Sequence, residues 1–374
     1  MGQGRKAESV NTPPILALLA PLLLFLVSAC GEWIVVWEHD PDRAWNGYTY
    51  FIGWETSRII RVDMEGNAEW DFHVPGPIEV GKAHGFRVKD GTFTYACLGK
   101  PVLADVADQS ILFEGPNLAA HHSITITPAG TLLFLAQDLF NVVEPSWYVG
   151  RVRGDVIREI DPDTAEVLWE WRLRDYVDPI EHHNPQWMNI LYGSLDWSHG
   201  NTVKYYDQYF CNGRTYRAVL YHSLALETFW MIDYDTLEVI WSCGQHGTFG
   251  RREPPEEALF SGAHEVDMLE NDVFIMYDNG IYRRNHHSRA LKIQVDPLAG
   301  SAEELWSWSY PRMYDGWGGD ADELPNGNVL LTNVLRGTII EVTPEGDVVW
   351  CMSFINPLLM PWTIYQLQRV PYGS

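Results

Sequence analysis

The sequence predicts an all-β protein, a six-bladed β-propeller. Three observations lead there. A unit of short apolar strands and tight turns recurs six times along the chain. No long stretch carries the 3.6-residue apolar period of a helix, which excludes a parallel α/β architecture. Aromatic residues reach 13%, with 17 Trp, and large flat side chains fill the space between packed sheets. Hydrophobic residues are 46% and charged residues 20% of the chain, so a core can form and disorder is excluded.

The clearest copy is residues 320–350. A turn at Pro325-Asn326-Gly327-Asn328 precedes a strand at 329–332, a second strand follows at 338–342, and a Pro-Glu-Gly turn leads to a third ending in Trp350. Asn and Gly tolerate the positive φ that such turns demand. The unit returns at 122–169, 199–241 and 264–306, in a shortened form at 49–70 and in a degenerate form at 84–113. Each copy takes about 57 residues, longer than a minimal blade of ~40–50. Trp70, Trp169, Trp241, Trp306 and Trp350 end an outer strand in five copies, where they are expected to pack between blades. The C-terminal Thr-Ile-Tyr-Gln-Leu-Gln-Arg-Val-Pro-Tyr segment is expected to close the ring on the first blade. A solenoid is the competing architecture.

The first residues read as an address. Arg5 and Lys6 precede a thirteen-residue uncharged run, 15–27, and small residues then lead to Cys30. The run is short of the ~20 residues that span a bilayer. Val27-Ser28-Ala29-Cys30 resembles a bacterial lipobox. The expected division is a lipoprotein signal peptide at 1–29 and a single propeller at 30–374. Cys30 would be lipidated and would hold the exported domain at the cell envelope, on the periplasmic side. Gly31 rather than Asp follows it, which points to the outer membrane. An ordinary signal peptide cut elsewhere is the alternative. The net charge is −24, and removal of Arg5, Lys6 and Glu8 leaves −25. That excess argues against nucleic acid and against a peripheral grip on anionic lipid. The spacing of Cys97, Cys211, Cys243 and Cys351 fits no zinc or redox motif, and their pairing stays open.

Histidines recur at one point of the repeat. His84, His121-His122, His199 and His264 open copies two to five, while Asp320 and Asp322 open the sixth. In a propeller the start of each innermost strand lies beside the axis, so these side chains are expected to cluster at one mouth. Imidazoles there could hold zinc, copper or iron, or could act as nucleophile, acid and base. His182-His183 and His286-His287 fall in polar loops and are read as solvated. The loop 175–195, with Trp187 and Tyr192, is a candidate lid.

Four segments carry a family resemblance: Ala120-His-His-Ser-Ile124, Leu195-Asp-Trp-Ser-His-Gly-Asn-Thr-Val203, Ser261-Gly-Ala-His-Glu265 with Tyr277-Asp-Asn-Gly280, and Leu324-Pro-Asn-Gly-Asn-Val-Leu330. In this order and spacing the chain resembles the bacterial arylsulfotransferase family over about residues 115–350, with a looser continuation to residue 45. The resemblance implies a six-bladed periplasmic propeller that moves a sulfuryl group from an aryl sulfate to a phenol, with no cofactor and no nucleotide sulfate donor. It implies that His264 is the nucleophile, forming a sulfohistidine, with His199 and His122 as further active-site histidines. Their expected task is to bind sulfate oxygens and to give a proton to the departing phenolate. His121, His84, His222 and Asn201 are the expected substrate-binding residues.

One position departs from the family pattern. Leu224 stands where the family has an Arg that helps hold the sulfate, and an alkyl chain cannot replace a guanidinium fork. His222, two residues earlier on the same strand face, and Arg251 or Arg252 are the candidates for supplying the charge. Two other functions compete with transfer: a noncatalytic propeller lipoprotein that serves as a binding platform, and a histidine metal site.

Overall fold

The structure, a computed structural model, describes residues 33–373 apart from 77–82, 144–147, 186, 188–189, 192, 271 and 356–360. The 1–29 segment, Cys30 and Tyr192 therefore lie outside the described residues. Among the described residues every element is a strand or a three-residue 3-10 turn.

The strands form six sheets. The first holds Tyr48–Gly53, Arg58–Val62 and Ala68–His73. The second runs Ala83–Lys89, Thr92–Cys97, Lys100–Asp105 and Ile111–Glu114. The third runs Ala120–Ile126, Leu132–Val142, Gly150–Ile160 and Val167–Arg172, with the short strands Ile190–Leu191 and Ser194–Asp196 added. The fourth is Gly200–Cys211, Arg214–Ser223, Thr228–Asp233 and Val239–Gly244. The fifth is His264–Glu270, Val273–Asp278, Arg289–Asp296 and Ser301–Trp308. The sixth is Ala321–Glu323, Val329–Asn333, Thr338–Val342 and Val348–Ile355.

The two chain ends finish two different sheets. Ile364–Val370 pairs antiparallel with Tyr48–Gly53 and becomes the inner strand of the first sheet, as the sequence suggests. Trp33–His39 pairs with Val348–Ile355 and adds an outer strand to the sixth, which the repeat pattern does not reveal. Each sheet packs on the next through its inner strand or the strand beside it, in cyclic order, with the sixth meeting the first. The ring closes, so the architecture is a propeller and not a solenoid.

Alternation explains the packing. Successive side chains of a strand point to opposite faces. Leu132 and Phe134 enter the core shared with the second sheet, whereas Leu133 and Leu135 enter the core shared with the fourth. Both faces are buried, which is why this strand reads as an unbroken apolar run. The blade-ending tryptophans pack between sheets as expected, and they also tie the sheets together. Trp70 Nε1 donates to Val106 O (2.8 Å), Trp169 to Tyr234 O (2.8 Å), Trp306 to Pro344 O (2.9 Å) and Trp350 to Met64 O (2.8 Å). Each acceptor lies in the next sheet, in the turn between its third and fourth strands. Trp241 instead donates to the Tyr209 hydroxyl of its own sheet. All four described cysteines are free thiols.

Candidate functional site

The inner strands all begin at one mouth of the axis. His84 pairs with Ala96, His121 with Leu135 and His264 with Tyr277 at the first rungs of their sheets. The register then slips, and the next residue has a positive φ: Gly85 at 65°, His122 at 52° and Glu265 at 47°. A bulge of this kind bends the strand and re-aims a side chain. At Gly85 a Cβ would lie 2.8 Å from Ser123 Cα, so the adjoining strand permits no side chain there. In the fourth sheet His199, also left-handed at 46°, stands just before the strand. The expectation that the histidines share one equivalent position is therefore corrected. His84, His121 and His264 do; His122 occupies a bulge and His199 precedes its strand.

These different starting points converge. The His122 ring centroid lies 5.1 Å from that of His84, 5.0 Å from His121 and 5.0 Å from His199. His264 is close enough to act electrostatically on His122 and His222, and His199 acts on His264. The sequence-predicted histidines thus form one cluster.

Their partners set them apart. His199 Nδ1 is 2.6 Å from Asp196 Oδ2. Burial works against a charged ring there, but the Asp196 carboxylate outweighs it and raises the His199 pKa above its ordinary value. His264 Nδ1 is 2.8 Å from Asn279 Oδ1. The Asn279 amide nitrogen donates to Asp315 O and Gly318 O, so its oxygen must face the ring and Nδ1 carries the proton. The Gly318 N–H donates to Nε2 at 3.2 Å. Burial pushes the His264 pKa down to about 4 despite the Asn279 bond. His222 repeats the design: Nδ1 meets Asn201 Oδ1 at 2.7 Å, and the Asn201 amide donates to Ala263 O. Burial, then His264, lowers its pKa to about 3. Burial and the surrounding imidazoles hold His122 neutral, well below its ordinary value. His121 Nδ1 lies 2.9 Å from His122 Nδ1, and His121 Nε2 faces Asp155 Oδ1 at 3.1 Å.

Aromatic rings border the cluster. Trp54 stacks edge-on against His84 at 5.1 Å and lies 4.8 Å from Tyr365 and 5.3 Å from Trp317. Trp187 of the candidate lid sits 5.0 Å from His199. Leu224 is buried in the turn after Arg214–Ser223, its N–H on His199 O at 3.2 Å, so no guanidinium arises at that point. Arg251 is exposed and pairs with Glu253. The cation that acts on His199 is Arg153. Sequence reasoning missed Arg153, the aromatic border, Asp196 and Asn279. The last two stood in quoted motifs, three residues before His199 and inside Tyr277-Asp-Asn-Gly280.

Among the described residues no group of three or more His, Cys, Asp or Glu is arranged to hold a metal ion. Farther down the axis Arg87 pairs with Glu265 and Asp320, and Lys204 with Glu265 (3.4 Å) and Asp267 (3.5 Å). Past this ionic belt a cavity of about 420 Å³ opens at the other mouth, lined by Lys89, Thr125, Tyr206 and Asp322 among others. It holds no histidine, so chemistry rather than volume marks the candidate site.

Fold and site together define a propeller with an axial cluster of oriented histidines. The sequence profile of the Arylsulfotransferase (ASST) family matches residues 43–345, and the chain belongs to that family. Among solved structures it is similar to a protein of unknown function from Bacteroides caccae, with 10% identity and a TM-score of 0.52 over 87% of this chain and 99% of that one. It is also similar to a streptogramin B lyase, with 12% identity and a TM-score of 0.49 over 91% of this chain and 98% of that one. No curated protein matches the chain in sequence.

Proposed function

We propose that the protein transfers a sulfuryl group from an aryl sulfate to a phenol through a sulfohistidine on His264. The observation that carries this reading is the contrast between the partners of two rings in the cluster: His264 Nδ1 meets an amide oxygen of Asn279, while His199 Nδ1 meets the Asp196 carboxylate, which raises its pKa. Environments that push two like groups apart separate nucleophile from acid.

In the first step the Nε2 lone pair of His264, released from the Gly318 N–H, attacks sulfur. The N–S bond forms, the S–O bond to the aryl group breaks, and His199 gives its proton to the departing phenolate oxygen. In the second step neutral His199 takes the proton of the acceptor phenol, whose oxygen attacks sulfur. The N–S bond breaks and the original protonation states return. His122, His121, His84, His222 and Asn201 line the path of the sulfuryl oxygens, with Arg153 and charged His199 supplying positive charge in place of the guanidinium lost at Leu224. The border of Trp54, Trp317 and Tyr365 offers flat apolar surface to the aryl rings. No cofactor enters the cycle. Lipid on Cys30 would anchor the mature protein at the periplasmic side of the outer membrane.

The test is turnover of a chromogenic nitrophenyl sulfate with a phenol acceptor. His264→Ala should lower the rate on the order of 10³-fold or more, and an adduct on a His264 peptide should appear when acceptor is withheld. No release of nitrophenolate across a panel of donors would sink the reading. Leu224 favours a second reading, a noncatalytic platform, under which His264→Ala leaves the biological activity intact.

A further inference from the structure

We propose that the Trp317–Gly318 peptide is an aryl-triggered cap on His264: its N–H closes the Nε2 lone pair at rest and turns onto a sulfuryl oxygen when an aryl sulfate enters. The first role stands on geometry. The second rests on the sulfuryl-transfer reading.

Both ring nitrogens of His264 are occupied. Nδ1 is tied to Asn279, and Nε2 accepts the Gly318 N–H at 3.2 Å. Sulfur has to approach along that same lone pair, so the contact that satisfies the resting ring also blocks attack. The backbone on either side of the cap is firmly held. The Asp315 carboxylate accepts from the Val334 and Leu335 N–H groups, each at 2.9 Å, and from the Tyr277 hydroxyl. The Asp315 N–H donates to Ser288 Oγ at 2.8 Å. Downstream, the Gly319 N–H donates to Tyr365 O at 3.2 Å, and the Asn279 amide reaches both Asp315 O (2.9 Å) and Gly318 O (2.8 Å).

Between these anchors the chain is loose. Among the described residues, neither Gly316 nor the N–H and C=O of Trp317 has a hydrogen-bond partner. One bond, to His264, therefore fixes the plane of the 317–318 peptide. That plane turns about ψ of Trp317 and φ of Gly318, and glycine takes either sign of φ. Gly318 stands at φ 66°, where a Cβ would lie 2.9 Å from Tyr365 Cδ2. The peptide can turn while Asp315 and Gly319 stay in place.

The trigger is attached to the cap. The Trp317 ring lies 5.3 Å from Trp54 and 6.1 Å from Tyr365, in the aromatic border offered to the aryl group. These rings already touch, so an entering ring displaces the one that can yield. Tyr365 is 4% exposed and Trp317 36%, so Trp317 yields and draws the 317–318 peptide off Nε2. The sulfuryl oxygens surround Nε2 once the N–S bond forms, and a backbone N–H beside them stabilises their charge. Its proton stays on the Gly318 nitrogen throughout. Only its acceptor changes, while the aryl S–O bond breaks and His199 protonates the phenolate. The cap thus adds one donor to a site that lacks a guanidinium at Leu224. An alkyl sulfate, with no ring to move Trp317, leaves the cap shut.

Trp317–Gly318 is the one Trp-Gly pair in the sequence. The full-length chain, isotope-labelled at the Trp carbonyl carbon and the Gly nitrogen, therefore gives a single carbonyl–amide NMR correlation, that of the cap. Without ligand its amide should exchange with solvent at least about tenfold more slowly than in His264→Ala, which lacks the acceptor. Nitrophenol should shift the correlation and speed exchange about tenfold, whereas inorganic sulfate or methyl sulfate should do neither. Equal exchange in the two chains, or no response to nitrophenol, would overturn the cap. These measurements need no turnover, so their failure is distinct from a failure of sulfuryl transfer. In turnover, Trp317→Ala should lower kcat on nitrophenyl sulfate about tenfold with thermal stability unchanged, and Trp317→Phe should restore most of it. A loss confined to KM would refute the trigger, because Trp317 would then only bind the ring.

Discussion

His264 and His199 are the same amino acid with different second partners. An amide oxygen accepts from His264 and leaves the ring neutral, while a carboxylate holds a proton on His199. The sign of the pH response follows. The proposed transfer needs His264 unprotonated, so activity should rise as pH passes about 4. It would need His199 protonated, so activity should fall as pH passes the His199 pKa, raised from 6.5. Asp196→Asn removes the largest influence that raises it and leaves burial, which lowers it. The alkaline limb of kcat/KM should then move to lower pH, with about 10²-fold loss at neutral pH. A profile of unchanged shape would show that Asp196 only packs against the ring. The left-handed φ of His122 and Glu265 belongs to the same scale: non-glycine residues are uncommon there and cost roughly 1–3 kcal/mol, a strain that the closed ring sustains.

At the scale of elements, the tryptophan ties stitch each fourth strand to the next sheet. Trp350 is fully buried and spans the junction of the sixth and first sheets, where Arg369 also lies over its ring at 4.4 Å. Trp350→Phe removes the indole donor and part of the ring, and should cost about 2–3 kcal/mol in chemical denaturation. Trp306→Phe, at a more open junction, should cost about 1 kcal/mol or less. Equal losses would mean that the ties contribute through the bond alone. Much of this level was legible in the sequence. Turn residues such as Asn326-Gly327, the two-sided apolar run at 132–136 and the recurring Trp all follow local rules that one copy displays and the others repeat. What was not legible depended on pairing between distant segments. The outer strand Trp33–His39 resembles no part of the repeat and takes its place only because Val348–Ile355 offers an edge. The bulges at Gly85, His122 and Glu265 arise from register against a neighbour, so the histidines could be assigned to a mouth but not to their separate positions. Asn279 and Arg153 gained meaning only when the fold brought them to His264 and His199.

For the whole molecule, closure by Ile364–Val370 matters most. Gln366 on this strand accepts from the Gly85 and Phe86 N–H groups at 2.8 and 3.2 Å and donates to Glu265, so the last strand binds the first, second and fifth sheets together. A chain ending at residue 362 should lose its single cooperative thermal transition and associate, because the inner edge of the first sheet is left open. A monomeric, cooperatively melting truncation would refute this dependence. The same closure imposes an order in time. Tyr48–Gly53 leaves the ribosome about 310 residues before its partner strand, Ile364–Val370. At ordinary synthesis rates of roughly 5–20 residues per second, tens of seconds pass between them. The molecule begins its existence with one raw edge, and any chaperone or second nascent chain that occupies that edge competes with the protein's own tail.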